Sequence, residues 1–157
     1  MLKRILICFM LAVSASCLYS QNKTIHGRVI NADLETLPYV SIIINDTVKV
    51  GKTDLNGFFQ IDIPISVRKI SFESVGLDQA TVRLIDKCDV VEVVMMLSGT
   101  YDFIHLKRVD KLRMKTFKKL PKLHKEAFEK GIFKTDKSCY RQEFIPPYVK
   151  DKSNANR

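Results

Sequence analysis

Histidine is the residue type in this chain best suited to holding a catalytic metal ion. A zinc-peptidase site needs a His-x-x-Glu pair and a distant histidine, which leave one coordination position open for water. None of His26, His105 and His124 is followed by glutamate at the third position. We therefore expect no metal site and no cofactor.

Patterns for nucleophilic or phosphate chemistry are also missing. Gly51-Lys52-Thr53 looks like the end of a phosphate-binding loop, but such a loop needs a glycine where this chain has Asp46. No Gly-x-Ser-x-Gly elbow occurs. The sequence thus predicts no catalytic residue, and we expect the protein not to be an enzyme.

The basic residues of the C-terminal third are the strongest chemical signal. Residues 99–157 hold 16 Lys and Arg against seven Asp and Glu, whereas residues 22–98 hold eight against ten. Such asymmetry predicts contact with an acidic partner or an anionic surface. The candidate contact residues are Lys107, Arg108, Lys111, Lys115, Lys118, Lys119 and Lys122.

Three interpretations of this basic stretch are open. Its apolar side could pack on the main domain and leave the lysines merely solvated. It could instead dock onto an acidic envelope protein, or lie along an anionic membrane surface. We expect no nucleic-acid partner, because no stacking aromatic residues alternate with the charges.

The first twenty residues have the order of a secretory signal. Lys3 and Arg4 precede an apolar run over Ile5–Val13, and small residues follow at Ser14–Ser16. This order predicts a signal peptide, residues 1–20, cut after Ser20. We expect the mature protein in the periplasm or on the periplasmic face of the outer membrane.

The cysteines fit export. Cys17 offers an alternative lipid anchor, although Ser14 stands where such a signal has an aliphatic residue. Cys88 and Cys139 remain in either case. In an oxidising compartment they could form one disulfide that ties the tail to the main domain. Alternatively, Cys88 is a small core residue and Cys139 a free thiol.

The elements that must position these residues change type near Gly99. Before it, short alternating segments predict seven strands, which indicates an all-β sandwich or barrel. Asn56-Gly57 predicts a hairpin turn between two of them. The strands are expected at Thr24–Ile30, Tyr39–Asn45, Val48–Thr53, Phe58–Ile63, Arg68–Ser74, Ala80–Ile85 and Val90–Met96.

After Gly99 the period becomes helical. One side of the first helix carries apolar residues and, as its one basic member, Arg113; the basic stretch occupies the other side. Pro121 ends or kinks that helix, and a shorter one is expected over Lys122–Lys130. The expected apolar residues are Phe103, Leu106, Val109, Met114, Phe117 and Leu120.

The segment from Ile25 to about Leu97 resembles the carboxypeptidase regulatory-like domain family. The carrying motifs are Gly27-Arg28-Val29, Leu37-Pro38-Tyr39-Val40, the run Gly51–Phe59 with its Thr-Asp pair, and Val75-Gly76-Leu77. The resemblance implies a seven-stranded transthyretin (prealbumin)-like sandwich over residues 22–98. Residues 99–157, which the charge and the helical period predict to be a basic α-helical extension, depart from the family's simple pattern.

The family's domains are non-catalytic accessories that flank metallocarboxypeptidases or precede TonB-dependent outer-membrane receptors. The resemblance therefore implies a non-catalytic accessory or binding module of the cell envelope. The alternative is a structural protein held peripherally at a membrane by its basic amphipathic helix. An exposed edge strand could also recruit a second copy into a weak homo-oligomer.

Overall fold

The computed structural model describes residues 22–85, 87–99, 101 and 103–146. The predicted signal segment and the Cys17 anchor lie outside the described residues. All seven predicted strands are present, and an eighth follows the helices. The strands are β1 (Asn22–Asn31), β2 (Ser41–Ile44), β3 (Val48–Lys52), β4 (Phe58–Pro64), β5 (Lys69–Glu73), β6 (Ala80–Leu84), β7 (Val90–Met95) and β8 (Tyr140–Glu143).

The strands form two sheets that share one core. Sheet A has the order β4-β1-β7, with β1 antiparallel to β4 and parallel to β7. Sheet B has the order β3-β2-β5-β6-β8 and is antiparallel throughout. Alternate residues of both sheets point into this core, as the period-2 pattern requires. They include Ile25, Val29, Phe59 and Val93 of sheet A, and Ile42, Ile70, Phe72 and Val82 of sheet B.

A second, smaller core lies on the other face of sheet A. Ile30 and Val94 point away from the first core and pack with Leu120, Ala127 and Phe133. These partners belong to the helical region, so sheet A is covered on both faces. The chain is therefore mainly β, with two sheets and a helical layer on the outside of one of them.

The helices are α1 (Leu106–Phe117) and α2 (Leu120–Glu129). Pro121 lies in the first turn of α2, where its missing N–H costs nothing, so it marks the start of the second helix. The second helix thus begins two residues before the predicted Lys122. The expected apolar side is only partly covered, because Phe103 precedes α1 and is fully exposed.

The C-terminal strand β8 joins the region beyond Gly99 to the sandwich. It extends sheet B by pairing with β6, from Leu84 opposite Tyr140 to Thr81 opposite Glu143. The predicted seven-stranded count omits this strand, because a segment with so few apolar residues carries almost no strand signal of its own.

The hairpin prediction at Asn56-Gly57 is wrong. A tight turn is present, but it connects β3 of sheet B to β4 of sheet A, which do not pair. The hairpin of this region lies between β2 and β3, where Asn45 and Asp46 both have positive φ.

Candidate functional site

The seven basic residues predicted for anion contact are all exposed and lie along α1 and the start of α2. Lys107, Lys111 and Lys115 follow one another at four-residue intervals, which places them on one stripe of α1. None of the seven forms an ion pair with another residue in the described part of the chain. We call Lys107, Arg108, Lys111, Lys115, Lys118, Lys119 and Lys122 the basic face.

The charges of α1 oppose its stability as an isolated helix. Like charges four residues apart destabilise a helix by about 0.2–0.5 kcal/mol per pair. The first turn has no acidic residue and contains Lys107 and Arg108, which meet the positive end of the helix dipole. His105 at the N-cap makes no side-chain capping bond. The charges at the start of α1 therefore destabilise the helix, whereas Lys115 in its last turn is favourably placed. An anion bound near the start of α1 would offset the unfavourable charges.

The N-terminal half of α1 also exposes apolar side chains. Phe103 and Leu106 are well exposed beside Lys107 and Arg108, and Leu112 is exposed one turn later. Val109 is the one residue of α1 that is buried. This half of the helix thus presents apolar and cationic groups together.

Arg113 anchors the C-terminal half of α1. Its Nε donates to Asp78 Oδ2 at 2.8 Å, with the two side chains only 12% and 11% exposed. Its Nη1 donates to the carbonyl of Ile145 at 3.0 Å, and its guanidinium lies over the Phe144 ring. The basic residue predicted on the apolar side is therefore a structural contact and not part of the basic face.

An open groove of about 940 Å³ runs between the helices and strand β8. Its apolar wall is formed by Ile85, Val94, Met114, Phe117 and Leu120. Lys118, Lys125, Lys137 and Arg141 also line it, with Asp136 as the one acidic residue among the lining side chains described. Sequence reasoning missed this groove, because its residues come from five separate segments and share no periodic pattern.

The buried carboxylate of Glu92 fastens the region after α2 to sheet A. It accepts hydrogen bonds from the backbone N–H groups of Lys134 and Thr135, at 2.7 and 3.0 Å, and from the Thr135 hydroxyl at 2.7 Å. Arg28 adds a fourth tie by donating from Nη1 to the Ile132 carbonyl at 3.0 Å. The polar groups of Glu92, Thr135 and Arg28 make their hydrogen bonds within the protein, so we assign them no catalytic role.

Side chains of β8 cap the free edge of β7. The Tyr140 hydroxyl donates to the Glu92 carbonyl, and Gln142 Nε2 donates to the Val94 carbonyl at 3.3 Å. Burial, with a smaller contribution from Glu92, raises the pKa of Tyr140 well above its usual value. His124 is likewise structural, since it is buried against Phe133 and its Nε2 lies 3.0 Å from the Thr135 carbonyl.

Cys88 and Cys139 lie next to each other beside the starts of β7 and β8. Their Cα atoms are 5.3 Å apart and the two sulfur atoms are at bonding distance, 1.98 Å. A bond here closes a loop with a sequence separation of 51 residues. It would hold β8 against the sandwich, as the disulfide interpretation of the sequence expects.

Residues from three of the four motifs that carry the family resemblance contact one another: Gly27–Val29, Leu37–Val40 and Gly51–Phe59. The Thr53 hydroxyl donates to the Leu37 carbonyl at 2.7 Å and accepts from the Val40 N–H at 2.9 Å. Asp54 Oδ1 accepts from two backbone N–H groups of the following turn, each at 2.8 Å. Gly57 has φ of 76°, and a Cβ there would lie 2.5 Å from the Val29 carbonyl oxygen.

Within residues 22–85, 87–99, 101 and 103–146, no group of three or more His, Cys, Asp or Glu side chains is arranged to hold a metal ion. In the same ranges, neither helix has the length and apolar character needed to cross a bilayer.

Comparison with protein-family models found no match, and comparison with curated proteins found none either.

Proposed function

We propose that this protein is a non-catalytic, exported binding module of the cell envelope, and that it contacts an anionic partner protein through the basic face. The observation that carries the proposal is the set of seven exposed basic residues without ion-pair partners in the described ranges. The charges of Lys107 and Arg108 weaken the start of α1, so their placement is best accounted for by a partner that neutralises them.

We further propose that the β region is a carboxypeptidase regulatory-like domain with a transthyretin-like arrangement. Support comes from Thr53, Asp54 and Gly57, since they bring residues of three of the four motifs together and stabilise the connections between the strands. The most distinctive residues of this domain stabilise its own turns. They are therefore not free to act as catalytic groups, which agrees with a domain that carries a binding surface and has no enzymatic role.

Fractionation of cells that produce the full chain tests the proposal. We expect the protein to sediment with the envelope at low salt and to be released near 1 M salt, where the Debye length is only about 3 Å. The triple variant Lys107→Gln, Lys111→Gln, Lys115→Gln should stay in the soluble fraction at low salt.

A matched control removes the same charge from the sandwich. Lys49, Lys52 and Lys87 are exposed and form no ion pair with described residues, so their replacement by Gln should leave sedimentation unchanged. If the two triple variants behave alike, net charge and not the basic face decides the association, and the proposal fails.

A second candidate function is peripheral attachment to an anionic membrane. It is favoured by the exposed Phe103 and Leu106 beside Lys107 and Arg108, because interfacial helices combine apolar and cationic residues in this way. Each Lys near anionic headgroups contributes about 1 kcal/mol.

Vesicles without protein separate the two candidates. Binding to phosphatidylglycerol vesicles that weakens on the order of 100-fold in the α1 triple variant, together with Phe103→Ala weakening, supports the membrane. Absence of vesicle binding in a chain that still sediments with the envelope supports a protein partner, to be identified by cross-linking.

A further inference from the structure

We propose that the groove between the helices and β8 binds a single-chain amphiphile with an anionic head, such as a fatty acid. This site shares Lys118 with the basic face but does not involve Lys107, Lys111 or Lys115, and it goes beyond the proposed function. Its volume of about 940 Å³ lies within the range of sites that bury a small ligand.

The groove is built from two chemically different parts. The apolar wall combines the end of β6 at Ile85, the outer face of β7 at Val94, and Met114, Phe117 and Leu120 from the helices. Three of these five side chains keep accessible surface, with Ile85 as much as 56% exposed. An alkyl chain placed here would remove that surface from water, which is the driving force for apolar ligands.

The charged residues that line the groove favour a ligand with a negatively charged head group. Lys118, Lys125, Lys137 and Arg141 outnumber the single acidic lining residue, Asp136. Only Lys125 has an ion-pair partner in the described part of the chain, Glu129 at 3.8 Å, and both side chains are more than 60% exposed. Because this ion pair is exposed and its N···O distance is long, Glu129 competes only weakly with a ligand for Lys125.

These two parts together exclude simpler ligands. A small inorganic anion would leave the apolar wall in water, and a neutral hydrocarbon would leave the cationic residues without a counter-charge. A peptide would need free donors and acceptors along the groove. The uncharged polar side chains that line it each already make a hydrogen bond within the protein: His124, Ser138, Tyr140 and Gln142. The occupant that matches both parts is a chain with one anionic end.

Calorimetric titration of the full chain with acetate, octanoate, decanoate and dodecanoate tests this assignment, each below its critical micelle concentration. We expect no binding of acetate and a gain of up to about fourfold in affinity per buried methylene. Dodecanol should bind more weakly than dodecanoate, because it lacks the charge.

Two variants locate the site. Ile85→Glu places a negative charge in the groove and should weaken dodecanoate binding at least tenfold, whereas Ile65→Glu, at a similarly exposed isoleucine, should not. Lys137→Gln with Arg141→Gln should weaken binding about two- to fivefold per charge, and Lys49→Gln with Lys52→Gln should have no effect.

Several outcomes would overturn the proposal. They are equal affinity of Ile85→Glu and Ile65→Glu, no dependence on chain length, equal binding of dodecanol, or binding seen only above the micelle concentration. The wild-type chain-length series decides the question even if Ile85→Glu does not fold. Because the α1 triple variant should bind dodecanoate normally, failure here leaves the proposed envelope role untouched.

Discussion

The two helices of this protein are adjacent in sequence but differ in what holds them. α2 buries Leu120, His124 and Ala127, and the chain that follows it is fixed by the Glu92 carboxylate. α1 buries only Val109 and carries four of the seven members of the basic face. An amphipathic pattern alone therefore does not distinguish a helix that completes a core from one whose surface is available to a partner.

The largest expected effect is on the free energy of unfolding. It distinguishes a phenylalanine that packs beneath α2 from one that precedes α1. Phe133 is 3% exposed in the core beneath α2, so Phe133→Ala should lower the free energy of unfolding by about 3–5 kcal/mol. Phe103 precedes α1 and makes no buried contact, so Phe103→Ala should change it by less than about 0.5 kcal/mol.

Urea unfolding of both variants provides the measurement. Similar losses in the two variants would contradict the comparison, because they would show that the start of α1 is also part of the folded core.

The next effect concerns the link between β8 and the sandwich. A bond between Cys88 and Cys139 closes a long loop, so reduction should lower the free energy of unfolding by about 2–4 kcal/mol. Counting free thiols in the unfolded protein, purified without reducing agent, shows whether the bond forms. The control is the double variant Cys88→Ser, Cys139→Ser, in which a reducing agent should change nothing; an equal response there would refute the assignment.

A smaller effect should be visible at alkaline pH. The folded state raises the pKa of Tyr140 above its ordinary value of 10.0, because burial disfavours the phenolate. The protonated phenol therefore contributes its full stability below pH 10, and this contribution is lost as the pH rises through the folded-state pKa.

Tyr140→Phe isolates this contribution. It should cost about 0.5–1.5 kcal/mol at neutral pH, since the Glu92 carbonyl loses its donor, and it should flatten the decline of stability above pH 10. Chemical denaturation from pH 7 to 11 measures both. An unchanged alkaline slope in the variant would show that other groups cause the decline.

The strands of the β region could be predicted from the sequence, because each strand and turn is marked by residues that are neighbours in the chain. Period-2 alternation placed all seven strands within a few residues, and Asp54 caps its turn as an Asx side chain does. Which strands pair with one another could not be predicted in this way. The turn chemistry of Asn56-Gly57 is the same whether the next strand pairs with the last one or crosses to another sheet.

Long-range features could not be read from the pattern. Strand β8 has Tyr140 as its one buried residue, and it becomes a strand because β6 offers a free edge. The groove could not be predicted either, because its residues are far apart in the sequence. Ile85 and Arg141, for example, come together only after folding. The basic residues of the C-terminal third could be identified from the sequence, because clustering of charge along the chain is visible there. All seven are exposed, and their contact with an anion stays a prediction.

Hydrogen exchange of the free full chain tests the contrast between the helices most directly. Amides in the N-terminal half of α1 should exchange through local opening, at least about 100-fold faster than the central amides of α2, which should require near-global unfolding. Equal protection of the two helices would contradict this contrast. In that case α1 would be bound into the fold as firmly as α2, and the lysines would be a solvated outer face.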